Sequence, residues 1–361
     1  MWGIVAECDT RGRARSDSAG RLVRGLVAFG LAFTMSGCYV MQAATGQLGI
    51  MAKSRPIDSV IADPATTEAT RSQLELAVEA RAFAVSELAL PDGRSYTKYA
   101  DIGREYVLWN VVATPEFSLR PLRWCFPVAG CVSYRGYFHQ ADANAFAWRL
   151  VARGDDAVVE GVAAYSTLGH LPDPLPSTMI GWRATRLVGT IFHELAHERL
   201  YVAGDSGFNE AFASVVEDAG VRRWLTSRGE QRQLTAYEAS RGRHAGFVAL
   251  LAGARARLAQ LYASGKPPAV MRVEKNRIFG RLKYDYQGLR QQWGGYPGYD
   301  DWFARPLDNA SLASVATYRD CVPGLERELA AAGSMPAFYA RAEQLAKLPF
   351  ADRRATVCEG K

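Results

Sequence analysis

The chain has 361 residues, 48% of them hydrophobic and 22% charged, and a formal net charge of +6. This length and composition are those of a globular protein that can bury a sizeable core in one domain or two. The positive charge is mild and its lysines and arginines are scattered, which excludes the dense basic surface typical of nucleic-acid binding.

The first 37 residues resemble an export leader. An arginine-rich segment precedes an apolar run at residues 25–35, which is too short to span a bilayer as a mature helix. The run ends in small residues before Cys38, as in the cleavage box of a bacterial lipoprotein. We therefore expect a signal peptide at residues 1–37 and a membrane anchor through lipidated Cys38. The mature chain would face the periplasm in the cell envelope, and Tyr39 after the cysteine favours the outer membrane. A secretory signal without lipidation is the alternative.

Four cysteines follow Cys38. Export to an oxidising compartment would allow them to form disulfides. We predict that Cys125 pairs with Cys131 across a short loop, and that Cys321 pairs with Cys358 to tie down the C-terminus. Free buried thiols are the alternative.

The middle of the chain predicts an α+β fold. We interpret residues 38–65 as a tether, because they are small and polar. Apolar spacing and β-branched runs then predict the following elements: a helix at 66–89, a strand at 105–113, a looped or strand segment at 122–138, a helix at 140–153 and a strand at 158–166. A proline-rich connection at 172–176 would rim a cleft, with His170 as a surface or rim residue.

The C-terminal part is predicted to be mostly helical. Helix-favouring composition covers residues 225–264 and 266–292, and a Gly/aromatic loop follows at 293–303. Two short helices are expected near 310–318 and 336–345. We divide the mature chain into a metallopeptidase core at 66–220 and a helical part at 221–361 that closes the cleft.

Residues 189–218 carry the strongest chemical signal. Apolar residues recur at helical spacing around His193 and His197, so both imidazoles project from one face, one turn apart. Two neutral imidazole nitrogens in this arrangement can bind one Zn²⁺. Glu194 lies one step round the helix, where its carboxylate can reach a water without binding the metal itself.

A third ligand is expected from the next helix. Turn residues at 204–207 break the first helix, and a second helix begins near Phe208 with Glu210 in its first turn. A helical hairpin would bring Glu210 over the histidines and complete a His₂Glu site with one open position. Glu217 lies two turns along the same face, where it can accept a hydrogen bond from a ligand histidine or from Arg199.

These motifs resemble those of gluzincin zinc aminopeptidases, in which the zinc-binding helix is followed by N-E-G-F-A. Here residues 209–213 read N-E-A-F-A, and the spacing from His197 to Glu210 is shorter than in those enzymes. More widely, residues 124–138, 164–179 and 293–303 are similar to a family of bacterial lipoproteins described as predicted aminopeptidases. The resemblance implies a gluzincin-like core, a zinc cofactor and peptide substrates.

The resemblance also implies substrate-binding positions. In the gluzincin fold, the strand before the zinc helix pairs with an extended peptide, which here points to Glu160, Gly161, Ala163 and Tyr165. An ordinary internal strand is the alternative. Either Glu160 or Asp173 would hold the α-ammonium group of an aminopeptidase substrate. Tyr296 or Tyr299 would stabilise the oxyanion, with Tyr286 behind them.

The sequence thus predicts a zinc-dependent peptidase in which Glu194 acts as general base, and favours an aminopeptidase. An endopeptidase of envelope proteins or peptidoglycan is one alternative, and a non-catalytic metal-binding lipoprotein is another. Structural zinc sites usually have four protein ligands and are rich in cysteine. Three ligands beside a free carboxylate therefore favour catalysis.

Overall fold

The computed structural model describes residue 39 and residues 41–126, 130–167, 170–316 and 321–358. Cys38 and the predicted leader lie outside these residues, so lipidation stays a prediction. Residue contacts divide the chain into two units, residues 1–49 and 50–361. None of the helices in the described ranges is long and apolar enough to cross a membrane.

The described chain is mainly helical with small sheets, which confirms the predicted α+β class. The helices are α1 (residues 41–52), α2 (Ile57–Ile61), α3 (Glu68–Leu88), α4 (Gln140–Ala152), α5 (Ala184–Arg199), α6 (Ser206–Ser227), α7 (Gln231–Tyr262), α8 (Pro268–Gln292), α9 (Asp300–Ala304), α10 (Asn309–Ala316), α11 (Val322–Ala332), α12 (Met335–Ala346) and α13 (Phe350–Val357). The strands are β1 (Ser54–Pro56), β2 (Lys98–Ala100), β3 (Leu108–Pro115), β4 (Trp124–Phe126), β5 (Gly130–Val132), β6 (Arg135–Tyr137), β7 (Asp155–Val162) and β8 (Leu175–Pro176).

The long helix α3 shows how the sequence sets these elements. The Thr67 hydroxyl accepts a hydrogen bond from the Thr70 amide and caps the first turn. Ala89 ends the helix in a left-handed conformation with φ of 53°. Leu74 and Leu88 lie on the buried face between these ends, so α3 packs into the main core.

Two three-stranded sheets lie before the motif helices. In one, β3 pairs antiparallel with β6 and with β7. Since β7 pairs with β3 alone among the described strands, it is an edge of this sheet. Gly161 lies in β7 opposite Trp109, but β7 ends at Val162, so residues 163–165 of the predicted edge strand continue beyond it.

The second sheet joins distant parts of the chain. Strand β2 pairs antiparallel with β1 and parallel with β8, with Tyr99 opposite Leu175. This pairing brings the loop before β2 beside the proline-rich connection before β8. The Tyr96 amide accordingly donates a hydrogen bond to the Asp173 carbonyl at 2.7 Å.

Both predicted disulfides are confirmed. Cys125 and Cys131 join β4 to β5, and Cys321 and Cys358 join the start of α11 to the end of α13. The second bond fixes the C-terminal helix against the body of the protein.

The main core takes side chains from both sides of residue 220, including Phe192, Phe212 and Phe338. The predicted division after residue 220 falls inside α6. Within the predicted tether, β1 and α2 form regular structure, and Ile57 is buried in the main core. A second cluster links α7, α8, α9 and α10.

Candidate metal centre

Helices α5 and α6 form the predicted hairpin. The Asn209 side chain closes the turn between them, because it accepts from the Val202 amide at 2.8 Å and donates to the Val202 carbonyl at 2.9 Å. Asp205 caps α6 by accepting from the Phe208 amide at 3.2 Å. Asn209 of the N-E-A-F-A motif therefore positions the helix that carries Glu210.

A buried ion pair holds the start of α6 from the far end of the chain. The Arg353 guanidinium on α13 donates to the Asp205 carboxylate at 2.8 Å, and the two side chains are 5% and 3% exposed. Arg353 also donates to the carbonyls of Ala346 and Leu348. Because the guanidinium is so fully bonded, its burial does not leave an uncompensated charge.

Two glycines let α5 and α6 approach closely. A Cβ on Gly220 would lie 2.6 Å from the Phe192 ring, and one on Gly189 would lie 3.1 Å from a Glu217 oxygen. Larger residues would push the helices apart and move the carboxylates of α6 away from the histidines of α5.

The hairpin brings the three predicted ligands together. Glu210 oxygens lie 3.3 Å from His193 Nε2 and 3.8 Å from His197 Nε2. One ligand atom from each residue lies within 4.8 Å of the others, and among the described residues this is the one such group of three or more. Ligands bound tetrahedrally to zinc at about 2.0–2.1 Å would be roughly 3.3–3.5 Å apart. The group could therefore hold a metal ion, and its 3.3 Å and 3.8 Å separations are close to this spacing.

Glu217 orients one of the three predicted ligands, His193, through a hydrogen bond to its second ring nitrogen. Its Oε2 lies 3.1 Å from His193 Nδ1, which leaves Nε2 of that ring facing Glu210. Arg199, the other predicted partner of Glu217, instead pairs with Glu343 at 2.8 Å and lies over the Tyr339 ring. Glu217 thus fixes the orientation and tautomer that a ligand histidine needs. His197 Nδ1 is buried and has no hydrogen-bond partner in the described ranges, so packing alone orients that ring.

Burial and charge shift the pKa values of these groups in opposite directions. Burial lowers the pKa of His193, but Glu210 and Glu217 outweigh it and hold that pKa well above the usual value. Burial also lowers the pKa of His197, to about 4. For Glu210, His197 and His193 overcome the effect of burial and lower the pKa. A metal would therefore bind an ionised Glu210 and displace a proton from His193.

Glu194 has a different environment from the ligands. Burial raises the pKa of its carboxyl to about 7, opposed by His193 and reinforced by the charges of Glu210 and Asp173. A carboxyl that titrates near neutral pH can both accept and release a proton during a reaction.

The predicted oxyanion donors lie against helix α7. The Tyr299 hydroxyl is 3.0 Å from His244 Nδ1, and its ring stacks on Phe247. The Tyr296 ring lies under the Arg243 guanidinium. Their role as oxyanion donors stays a prediction.

Two tyrosines that we did not single out from the sequence interact electrostatically with the motif residues. Burial and the charge of Glu210 raise the pKa of Tyr201, and burial and the charge of Glu194 raise that of Tyr96. Tyr201 directly follows the end of α5, a position that the sequence could have indicated. Tyr96 has no such signal.

The predicted substrate residues fall into two places. Glu160 accepts from the Ser314 hydroxyl at 3.1 Å and faces Arg305 at 3.9 Å, in a cleft beside Gly161 and Tyr106. The Ala163 carbonyl accepts from the Thr178 hydroxyl at 2.5 Å. Tyr165 lies instead near Asp173, and burial, followed by the charge of Asp173, raises its pKa. His170 is exposed, as expected of a surface or rim residue.

Two histidines and a carboxylate on adjacent helices form a three-ligand site of the kind that metal-dependent hydrolases use. The chain belongs to the family described as "Putative aminopeptidase", which matches residues 38–357. At this coarse level the family indicates a peptidase with peptide substrates. No curated protein and no solved structure matches the chain.

Proposed function

We propose that the protein is a zinc-dependent aminopeptidase with a gluzincin-like core. The convergence of His193, His197 and Glu210 on one point carries this proposal. A zinc ion, when bound, supplies a Lewis acid that polarises a carbonyl and lowers the pKa of water toward 7.

Glu194 is the general base in this proposal. It follows His193 directly on α5, and its pKa of about 7 suits a group that takes a proton from the attacking water. The same carboxyl then delivers that proton to the leaving amine. Glu217 keeps the His193 ring in place throughout, because its hydrogen bond to Nδ1 does not compete with Nε2.

The free edge of strand β7 is the proposed binding position for the peptide substrate. Its free side could pair with an extended substrate, as an added strand does at an open sheet edge. Gly161 lies at this edge, and the Tyr106 ring packs against its backbone.

We further propose that the protein is a lipoprotein of the cell envelope, anchored through Cys38. Two disulfides support export, because such bonds persist mainly in oxidising compartments. The family match also begins at residue 38, where the predicted cleavage would fall.

Replacing the base tests the mechanism. Glu194→Gln should abolish turnover of unblocked aminoacyl substrates, with a loss of roughly 100-fold or more, while zinc content stays near that of the unaltered protein. Glu343→Gln on α12 removes a surface carboxylate that pairs with Arg199, and should leave turnover unchanged. Retained turnover in Glu194→Gln would exclude this residue as the base.

A second comparison separates the peptidase classes. An aminopeptidase should hydrolyse a free peptide and reject the same peptide with an acetylated N-terminus. Equal rates on both would indicate an endopeptidase. Zinc binding without hydrolysis of either would favour a non-catalytic metal protein.

A further inference from the structure

A second group of polar side chains lies beside the metal ligands. Glu194 and Glu198 are four residues apart, so they share a face of α5 next to the face of the two histidines. Tyr96, Tyr165 and Asp173 adjoin this face. We call these five residues the acid pocket.

Several contacts hold the acid pocket together. The Tyr96 amide donates to the Asp173 carbonyl at 2.7 Å, and the Asp173 amide donates to the Ser95 hydroxyl at 3.3 Å. A Cβ on Gly93 would lie 2.9 Å from Glu198 Oε2, which places that loop against α5. Burial and then the charges of Glu194, Asp173 and Glu198 raise the pKa of Tyr96. The Tyr96 hydroxyl therefore lies in the field of all three carboxylates.

Four pocket residues each have one polar atom without a partner, although Asp173 Oδ2 accepts hydrogen bonds from the Thr167 amide at 2.6 Å and the Thr167 hydroxyl at 3.0 Å. Tyr96 and Asp173 are each only 2% exposed. The hydroxyls of Tyr96 and Tyr165, Asp173 Oδ1 and Glu198 Oε1 are buried, and none makes a hydrogen bond in the described chain. Each buried polar group left unbonded costs about 1–3 kcal/mol, so such a cluster indicates a ligand.

The backbone of Tyr96 is also unusual. Its φ of 59° lies in the left-handed region, which an aromatic residue rarely adopts. Strain of this kind is retained mainly at functional sites, where the surrounding structure enforces it. Here the strained residue is buried and interacts electrostatically with three carboxylates.

The carboxylates of the pocket favour a cation, and the one arginine that interacts with Tyr165, Arg104, donates to the carbonyls of Phe138 and Val107 and pairs with none of these carboxylates. No described arginine or lysine lies within 4.0 Å of the carboxylates of Glu194, Glu198 or Asp173, although ion pairs elsewhere in these ranges meet that distance. The nearby Arg81 is engaged by Asp92 and by the carbonyls of Gly93 and Ser95.

The geometry disfavours a bare metal ion. The three carboxylates do not offer oxygens within 4.8 Å of one another, unlike the ligand atoms of the metal centre. An ammonium group carries three donors and can bridge acceptors that are further apart.

We propose that the acid pocket binds the α-ammonium group of the substrate's N-terminal residue. Asp173 provides the counter-ion, and the oxygens of Tyr96 and Tyr165 accept hydrogen bonds. This inference rests on the proposed function, and it identifies the substrate class as peptides with an unblocked N-terminus. Glu194 belongs to the pocket and directly follows the metal ligand His193, so an ammonium held here places the first peptide carbonyl beside the general base.

Calorimetric titration of the zinc-loaded protein tests this proposal without turnover. The probes are alaninamide, with an α-ammonium, N-acetylalaninamide, with none, and N-acetyllysinamide, with a side-chain ammonium only. We expect alaninamide alone to bind. Asp173→Asn should weaken its binding roughly 10- to 100-fold, as expected for a lost charged hydrogen bond. Tyr96→Phe should weaken it less, and removes a hydroxyl that has no hydrogen-bond partner, so the fold is retained.

Matched controls lie outside both sites. Asp156→Asn alters a half-buried aspartate that pairs with Lys275, and Tyr339→Phe removes a buried hydroxyl that donates to the Leu88 carbonyl. Both should bind alaninamide as the unaltered protein does. Unchanged binding in Asp173→Asn would overturn the proposal. Equal binding of N-acetyllysinamide would overturn the assignment to the α-ammonium group.

These outcomes are separable from failure of the proposed function. Turnover that survives Glu194→Gln would refute the mechanism, whereas alaninamide binding would still report on the pocket. Conversely, hydrolysis could depend on Glu194 and yet be unaffected by Asp173→Asn. The mechanism would then stand, and the acid pocket would have no part in substrate binding.

Discussion

The carboxylates next to two neighbouring faces of helix α5 differ in whether they have hydrogen-bond partners. On the histidine face, Glu210 and Glu217 both contact His193, at 3.3 and 3.1 Å. In the acid pocket, Asp173 Oδ1 and Glu198 Oε1 are buried without a partner. Satisfied groups are fixed before any ligand arrives, which suits a metal site, whereas unsatisfied groups cost stability until a ligand completes them. One helix thus combines a pre-formed site with an incomplete one.

The largest effect should come from removing a ligand on the histidine face. Glu210→Ala leaves two imidazoles, so we expect zinc content to fall to background and turnover to become undetectable, because binding by two histidines alone is weak. Elemental analysis after dialysis measures the first effect. Glu238→Ala on α7, where the carboxylate forms a surface ion pair, is the control. Full zinc content in Glu210→Ala would refute the assigned ligand set.

On the acid-pocket side, Asp173→Asn should stabilise the free protein at neutral pH. Burial first, with a contribution from the charge of Glu198, raises the pKa of Asp173 from 3.8 to about 6. Between these values the unfolded state binds fewer protons than the folded state, so this carboxyl makes stability fall as pH rises. The neutral amide avoids that loss, which amounts to about 3 kcal/mol above pH 6.

Thermal or denaturant unfolding at pH 4 and pH 8 measures this gain, which should appear at pH 8 and vanish near pH 4. Asp156→Asn should instead lose stability, because its Lys275 partner lies 2.5 Å away and would remain buried without a counter-ion, and this loss outweighs the rise that burial causes in the pKa of Asp156. If Asp173→Asn were less stable at pH 8, the buried unpaired oxygen of Asp173 would not be lowering the free energy of unfolding.

A smaller effect is expected from the group behind His193. Glu217→Gln keeps the size of the side chain but removes its charge, so zinc affinity should fall about 10- to 100-fold. Competition with a chelator measures it. Since Gln can still accept the hydrogen bond, turnover at saturating zinc should change less than affinity. Unaltered affinity would show that packing alone orients both histidines.

The smallest effect is expected at Glu160, the other carboxylate considered for the α-ammonium group. Ser314 and Arg305 already contact it. We therefore expect Glu160→Gln to change KM for an unblocked peptide by less than about fivefold, as is usual for a partly exposed pair. If Glu160→Gln raised KM more than Asp173→Asn does, the ammonium site would lie at Glu160 on β7 and not in the acid pocket.

The sequence predicted the histidine face well because that face is local. His193 and His197 share one helix, Glu210 follows within one hairpin, and helical periodicity and turn chemistry place all of them. The two disulfides were also predicted, because the expected leader and lipidation site leave four cysteines, and Cys125 and Cys131 are only 6 residues apart.

The acid pocket was not predictable as a unit. Tyr96 and Asp173 meet only through the parallel pairing of β2 with β8, strands of three and two residues that leave almost no pattern. Glu198 could have been recognised, since it lies one turn after Glu194. In the Gly/aromatic loop that carries the predicted oxyanion donors, Tyr299 packs against Phe247, because large rings also stabilise helix packing.

The Arg353–Asp205 pair has a consequence for the order in which the molecule is assembled. The two residues are 148 positions apart, and Cys358, just beyond Arg353, is joined to Cys321. During synthesis, the aspartate that caps α6 has no buried counter-charge until residue 353 has emerged and its helix has docked. The buried ion pair at the start of the helix that presents Glu210 is therefore among the last contacts of the chain to form.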